Sequence, residues 1–268
     1  MVSVSIVIIA KNEAAFIANC ISKARLITDD VIVVDSGSTD DTPKIVQQYG
    51  CRLKHESWDG YGANKNKGAA LARYDWILSL DADEVPDMEL VRSLHELVLR
   101  DPHVVYDIKF RSYFGQKRIR FGNWGHDHRL RLFNRNLVKW SGSRVHETLL
   151  LPKSARIKRI RGHIHHYTVR DMEECYRKAV YYAALSADQY LGNGRKASFL
   201  KLYFSPVFGF VINYIVRLGF LDGEEGWNIA RTIYRNTWLK YHYLKHYQQG
   251  RYWAGSKPEV NKRYHIEY

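Results

Sequence analysis

The tripeptide Asp81-Ala82-Asp83 is the clearest chemical signal in these 268 residues. It follows the apolar run Trp76 to Leu80 and precedes Glu84 and Pro86. Side chains alternate along extended backbone, so the two carboxylates would share one side. Two hard oxygen ligands at a strand end suit Mg²⁺ or Mn²⁺, which take few protein ligands and complete their shells with phosphate and water. A solvated turn could use the same residues in a chain with 28 acids. The buried strand before the tripeptide is what favours metal–phosphate binding.

Such a pair needs a scaffold. Residues 3–10 form a nearly continuous β-branched run, as expected of a strand buried on both faces. Asn12 is expected to cap a helix whose apolar positions are Phe16, Ile17, Cys20, Ile21 and Ala24. A second strand, Val31 to Val34, leads to Asp35-Ser36-Gly37, and a helix follows from Thr42 to Tyr49 with Pro43 in its first turn. Residues 62–74 read as loop and helix before the third strand, Trp76 to Leu80. Alternating strands and helices argue a parallel sheet of right-handed βαβ units, with the ligand site beyond the carboxyl ends of the strands. Those ends are Lys11-Asn12-Glu13, Asp35-Ser36-Gly37 and Asp81-Ala82-Asp83. No GxGxxG follows the first strand and no GxxxxGK[ST] occurs, so dinucleotide and P-loop readings lose their main support.

Four motifs, in order, resemble those of family-2 glycosyltransferases: residues 5–13, residues 33–42, Asn64-Lys65-Asn66-Lys67-Gly68 and Leu80-Asp81-Ala82-Asp83-Glu84. The resemblance covers roughly residues 3–150. It implies a GT-A fold, which is α/β and Rossmann-like, with a mostly parallel sheet flanked by helices. It also implies inverting transfer from a nucleotide-diphosphate sugar. Arg131-Leu132-Phe133, Val145-His146-Glu147 and Gly219-Phe220-Leu221-Asp222-Gly223 resemble a narrower branch of lipopolysaccharide core glucosyltransferases acting on heptose. By resemblance, Asn12 and Glu13 would lie by the nucleoside and Asp35 would accept from a base N–H. Lys65 would face the diphosphate or base, Asp81 the ribose or metal, and Asp83 would ligate the metal. Many members carry two acids where this chain has Asp35-Ser36, which leaves Asp35 as the acid there. The donor expected is a UDP-sugar, with glucose the first choice.

An inverting transfer is a single displacement and needs a base for the acceptor hydroxyl proton. Between residues 109 and 161 the only carboxylates are Asp127 and Glu147. Either could simply balance nearby arginines; Glu147 is preferred because it lies in the branch-like motif. Among 12 histidines, Gly162-His163-Ile164-His165-His166 is the densest group, with His163 and His165 on one face of an extended segment. No HExxH or neighbouring cysteine supports zinc. His166 is the one expected to reach the metal or diphosphate.

Charge is unevenly spread. Residues 1–108 hold 11 basic and 17 acidic side chains, residues 109–161 hold 15 and 2, and residues 162–268 hold 15 and 9. The basic middle suggests an anionic partner, either a phosphorylated saccharide or glycolipid gripped by arginine forks, or nucleic acid. The rival class is therefore a non-catalytic nucleic-acid-binding protein using residues 109–161. No RRM, zinc-finger or helix-turn-helix signature accompanies it, and the donor motifs favour the saccharide. Three separated cysteines make no disulfide framework. The N-terminal apolar run lacks a preceding basic region, so no secretory signal is expected. Residues 1–165 are expected to form the nucleotide-sugar-binding domain, and residues 166–268 a helical appendage. Within the appendage, residues 202–216 carry no charge and are flanked by Lys201 and Arg217. A spanning helix needs about twenty apolar residues, so a buried or interfacial helix fits better. Trp227, Ala230, Tyr234, Trp238 and Tyr241 form an aromatic stripe at helical spacing, suited to core packing or to anionic lipid. The expected location is cytoplasmic, peripheral on the inner face of a bacterial cytoplasmic membrane.

Overall fold

A computed structural model of the chain describes residues 2–142 and 147–250. The first half alternates strands and helices: β1 (Val4–Ala10), α1 (Ile17–Ile27), β2 (Val31–Asp35), α2 (Thr42–Gln48), β3 (Arg52–His55), α3 (Tyr61–Ala70) and β4 (Trp76–Asp81). There follow β5 (Glu84–Pro86), α4 (Met88–Glu96), β6 (Val104–Phe114), β7 (Lys117–Arg118), α5 (Gly122–Gly125), β8 (His128–Asn134), β9 (Lys139–Trp140), β10 (Leu149–Leu150) and β11 (Arg156–Val169). Three long helices end the described chain: α6 (Met172–Gly192), α7 (Phe199–Val211) and α8 (Gly223–Gln248). Within the described residues, two compact units form. One holds residues 2–111 and 127–166, the other residues 112–126 and 167–250.

The first unit is built on a sheet ordered β3-β2-β1-β4-β8-β6-β11-β5. Pairings among β1, β2, β3 and β4 are parallel, as β-α-β connections require. β8 then runs antiparallel to β4 and β6, and β11 antiparallel to β5. Every residue of β1 and β2 is buried, the signature of strands covered on both faces. On one side α3 lies against Val7, Ile9, Ile32, Val34 and Ile77. Gly68 permits that approach, because a Cβ there would sit 2.4 Å from Val7 Cγ1. The other side takes the apolar stripes of α1 (Ile17, Cys20, Ile21, Ala24) and α4 (Leu90, Val91, Leu94). This is the α/β architecture with a helical C-terminal region that the resemblance implies.

Two local expectations are corrected. Asn12 does not cap α1: its φ is +54°, and the helix begins five residues later, after Phe16. Asparagine tolerates left-handed backbone, and here it turns the chain out of β1 so that the side-chain oxygen accepts from the Thr39 N–H at 2.7 Å. Nor is Asp81-Ala82-Asp83 an extended run. β4 ends at Asp81, and Ala82 and Asp83 form a turn into β5. Alternation does not survive a turn, and the two carboxylates meet different partners.

In the second unit, β7 folds back on the end of β6, with Tyr113 opposite Arg118. The buried Asp222 carboxylate accepts from the backbone N–H groups of Arg120 and Phe121, and Lys117 donates to the Asp222 carbonyl and pairs with Glu225. α7 continues as a π-helical stretch through Val216 and then a 3₁₀ turn, Gly219–Asp222, before α8. In the aromatic stripe of α8, Ala230 is buried while Trp227 and Tyr234 are exposed.

Candidate active site

All the candidate site residues lie in the first unit. At its centre is Lys65 on α3, whose ammonium is fully buried, 3.0 Å from Asp81 Oδ1 and 2.7 Å from Glu147 Oε1. The ammonium also stands 4.7 Å from the ring centre of Trp140. Burying a lysine is costly unless its charge is paired, and two carboxylates and an aromatic face do that here. Asp81 Oδ2 meets Arg131 at 3.1 Å, and Arg131 also bridges to the fully buried Glu84. Arg129 reaches Glu84 at 3.3 Å and Asp127 at 2.7 Å. A continuous chain of alternating charge results: Asp127, Arg129, Glu84, Arg131, Asp81, Lys65, Glu147. The two candidate bases are its ends.

Local structure explains how the chain is assembled. Across a bulge in β8 at Arg131, Arg129 and Arg131 both reach Glu84 and the Phe110 ring, and Leu132 and Phe133 of the same strand pair with Leu78 and Ile77 of β4. The loop carrying Glu147 is clasped by α3: Asn66 donates to the Trp140 carbonyl and accepts from the Trp140 N–H, both at 3.0 Å. Gly62, at the start of α3, lies so close that a Cβ would fall 2.0 Å from the Ser141 carbonyl oxygen.

Titration follows from burial and neighbours. Burial opposes ionisation of Asp81, but the Lys65 and Arg131 charges override it and hold its carboxyl well below the usual range. Glu84, with less compensation and the Asp81 charge beside it, is pushed up to about 7 by burial. The Asp81 Oδ1 atom is buried against the Lys65 ammonium at 3.0 Å.

The remaining predicted residues fall into two further groups. Asp83 Oδ2 lies 3.4 Å from His166 Nε2, both side chains mostly buried. On β11 the neighbouring His163 instead bonds Asp87 at 3.1 Å. At the ends of β1 and β2, Asn12 and Glu13 are stitched to the 38–42 loop, the Asn12 N–H donating to Ser38 and the Glu13 N–H to Thr42, both at 2.8 Å. Asp35 is buried in its own turn, accepting from the N–H groups of Gly37 and Ser38, with His55 at 3.2 Å. The structure therefore brings Lys65, Asp81, Glu147 and, through arginines, Asp127 into one network. Asp83 pairs with His166, and Asn12, Glu13 and Asp35 are held by their own hydrogen bonds at the ends of β1 and β2. Val145 and His146 of the branch-like motif lie outside the described residues.

Sequence reasoning gave no role to Arg129, Arg131, Glu84 or Trp140. The i, i+2 spacing of the two arginines beside an apolar Leu132-Phe133 was the available signal. The basic middle also has an internal meaning. Arg111, Arg129, Arg131, Arg135, Arg156 and Arg159 each lie within 4.0 Å of an acid between residues 75 and 107. Much of the charge asymmetry along the chain is complementarity within the unit.

Residues 5–167 match the family model for glycosyl transferase family 2. The chain is 30% identical over 244 residues to the lipopolysaccharide core biosynthesis glycosyltransferase LpsC of Rhizobium meliloti, covering 88% of each. It is also 30% identical over 238 residues to an uncharacterized glycosyltransferase of Rickettsia typhi, covering 84% of this chain and 81% of that one. Among solved structures, glucosyl-3-phosphoglycerate synthase from Mycobacterium tuberculosis, with Mn²⁺, UDP and glucosyl-3-phosphoglycerate, aligns at 26% identity with a TM-score of 0.35. That alignment covers 42% of this chain and 44% of the synthase, less than half of either.

Proposed function

The chain belongs to glycosyl transferase family 2, and from that premise we propose that it is an inverting, metal-dependent hexosyltransferase. The donor is a UDP-sugar, glucose first, and the acceptor a phosphorylated saccharide or glycolipid of the lipopolysaccharide-core kind, met at the cytoplasmic membrane surface. Its likeness to LpsC supports the acceptor class. The observation that carries the mechanism is the Lys65-bound Glu147. Lys65 occupies Oε1, whereas Oε2 makes no hydrogen bond or ion pair among the described residues.

In the transfer, the acceptor oxygen bonds to the anomeric carbon as the bond to the diphosphate oxygen breaks, and the hydroxyl proton passes to Glu147 Oε2. Lys65 holds Glu147 in place through its 2.7 Å contact with Oε1, while Asn66 fixes Trp140. Arg129 likewise takes only one oxygen of Asp127, Oδ2, so bonding alone does not separate the two; Glu147 is preferred because it lies in the branch-like motif. For the divalent cation, Asp83 and His166 would offer a carboxylate oxygen and an imidazole nitrogen side by side, whereas Asp81 Oδ1 is engaged by the Lys65 ammonium at 3.0 Å. When bound, Mg²⁺ or Mn²⁺ would neutralise charge developing on the leaving diphosphate. Asn12, Glu13 and Asp35 line the ends of β1 and β2, suited to the nucleoside.

The test is a thermal-shift and transfer series on the whole chain. UDP plus Mn²⁺ should raise the melting temperature, and chelator should abolish the gain. Glu147→Gln should bind UDP normally and lose at least about a hundredfold in transfer. Asp83→Ala should lose metal-dependent turnover. An active Glu147→Gln beside a dead Asp127→Asn would reassign the base. Stabilisation by DNA or RNA with none by nucleotide would overturn the transferase reading.

A further inference from the structure

From Gln189 to Leu221 the chain contains no acid, while Arg195, Lys196, Lys201 and Arg217 are basic. The same stretch bears half of the exposed large apolar side chains of the described residues, among them Phe199 (71% exposed), Phe204, Phe208, Ile215, Phe220 and Leu221. At 100° per residue, the exposed apolar positions of α7 from Phe199 to Phe208 fall within one half of the helix, and the buried Leu202 and Pro206 lie together outside that arc, with Asn213 buried in the extension. That buried side is tied to its own unit. The Asn123 N–H donates to Asn213 Oδ1 at 2.8 Å, the Gly122 N–H donates to the Arg217 carbonyl at 2.9 Å, and a Cβ on Gly209 would come within 3.3 Å of Ile233. Beyond the helix, Leu218 holds a φ of +58°, a conformation costly for leucine, at the turn that sets Phe220 and Leu221 outward.

We propose that this face is a monotopic membrane-docking surface that lies in the headgroup region of an anionic bilayer with its apolar half inserted. The proposal deepens the membrane-surface reading given above and rests on it. A spanning role is a poorer fit. Phe199–Val216 is apolar enough to cross a membrane, but its eighteen residues reach only about 27 Å against about 30 Å of hydrocarbon. Asn213 and its bond to Asn123 would also have to be torn from the unit. A second copy of the chain is a poorer occupant than lipid, because it would bring the same acid-free, basic-flanked surface against itself. An anionic headgroup layer complements those cations, and acyl chains cover the phenylalanines.

The test is co-sedimentation of the intact chain with vesicles of phosphatidylcholine alone or mixed with phosphatidylglycerol. Binding is expected to the mixed vesicles at low salt, weakening severalfold at high salt, and to be poor on phosphatidylcholine alone. Phe204→Ser/Phe208→Ser should lower partitioning at least about tenfold with unchanged melting temperature. Lys196→Glu/Lys201→Glu should lower it by at least about fivefold per site on anionic vesicles only. No vesicle binding at low salt by a folded chain would overturn the proposal, as would a dimer in solution that the phenylalanine double variant dissolves without changing vesicle binding. The UDP–Mn²⁺ shift is measured on the same samples. A nucleotide shift without vesicle binding overturns this surface and leaves the transferase reading standing; vesicle binding without a nucleotide shift supports the surface and overturns the transferase reading.

Discussion

Replacing Lys65 with methionine removes one charge and keeps most of the side chain's length and volume. In the wild type that charge is wholly buried and holds two carboxylates, at 3.0 and 2.7 Å. Removing one partner of a buried ion pair costs about 3–5 kcal/mol, mostly because the other charge is stranded. Asp81 and Glu147 retain 26% and 15% of their side-chain exposure, so water recovers part of the loss and about 3 kcal/mol is expected. For a unit of about 150 residues that is a fall of roughly 6–12 °C in melting temperature. The assay is calorimetry and urea unfolding at neutral pH, without nucleotide or metal. Adding Glu147→Gln removes one stranded charge and should restore about 1–2 kcal/mol, a coupling that a double-mutant cycle reads directly. A single variant within about 0.5 kcal/mol of wild type, or strictly additive effects, would refute the claim that Lys65 holds Glu147 in place.

Three further outcomes follow from the same geometry. Gly62→Ala should cost about 1–3 kcal/mol and depress transfer, because the new Cβ must displace the Ser141 carbonyl and crowds Glu147 Cβ at 3.3 Å; Gly142→Ala, which meets nothing within 4 Å, is the control. Asn66→Ala should lower transfer more than nucleotide affinity, since the Asn66 side chain hydrogen-bonds the Trp140 backbone and acts through the position of Trp140. Burial opposes ionisation of Glu174, but Lys178 and the Arg170 N–H hold its carboxyl below the ordinary glutamate range. Its folded pKa being the lower, its stabilisation is complete above the unfolded value and lost as pH falls through the folded one. Glu174→Gln should flatten that acid limb in a pH series of melting temperatures.

The parallel strands were legible because β1, β2 and β4 are continuous apolar runs that no amphipathic helix would use. Lys65, Asp81 and Glu147 were legible one by one, through motif resemblance, but their contact was not. It depends on β8 lying antiparallel beside β4 and on the Asn66 clasp, neither of which leaves a periodic trace. Asn12 misled for a definite reason: the properties that favour asparagine at helix caps also favour it in left-handed turns. Reading the basic middle as a surface for an outside anion took no account of partners 24 to 60 residues away in sequence. That α7 and its extension would expose phenylalanines followed from which side is buried, and hydropathy alone does not fix a side.

The acid-free apolar face also bears on how the protein behaves as a colloid. A formal net charge of +13 keeps molecules apart in dilute buffer, while bare phenylalanine rings draw them together whenever that repulsion is screened. Added salt should therefore act in two opposite senses, releasing the chain from an anionic surface and promoting clumping of what is released. A preparation stripped from membranes by salt alone is expected to scatter light and lose material on concentration. One released by mild detergent, which covers the rings while leaving the charge unscreened, should stay clear.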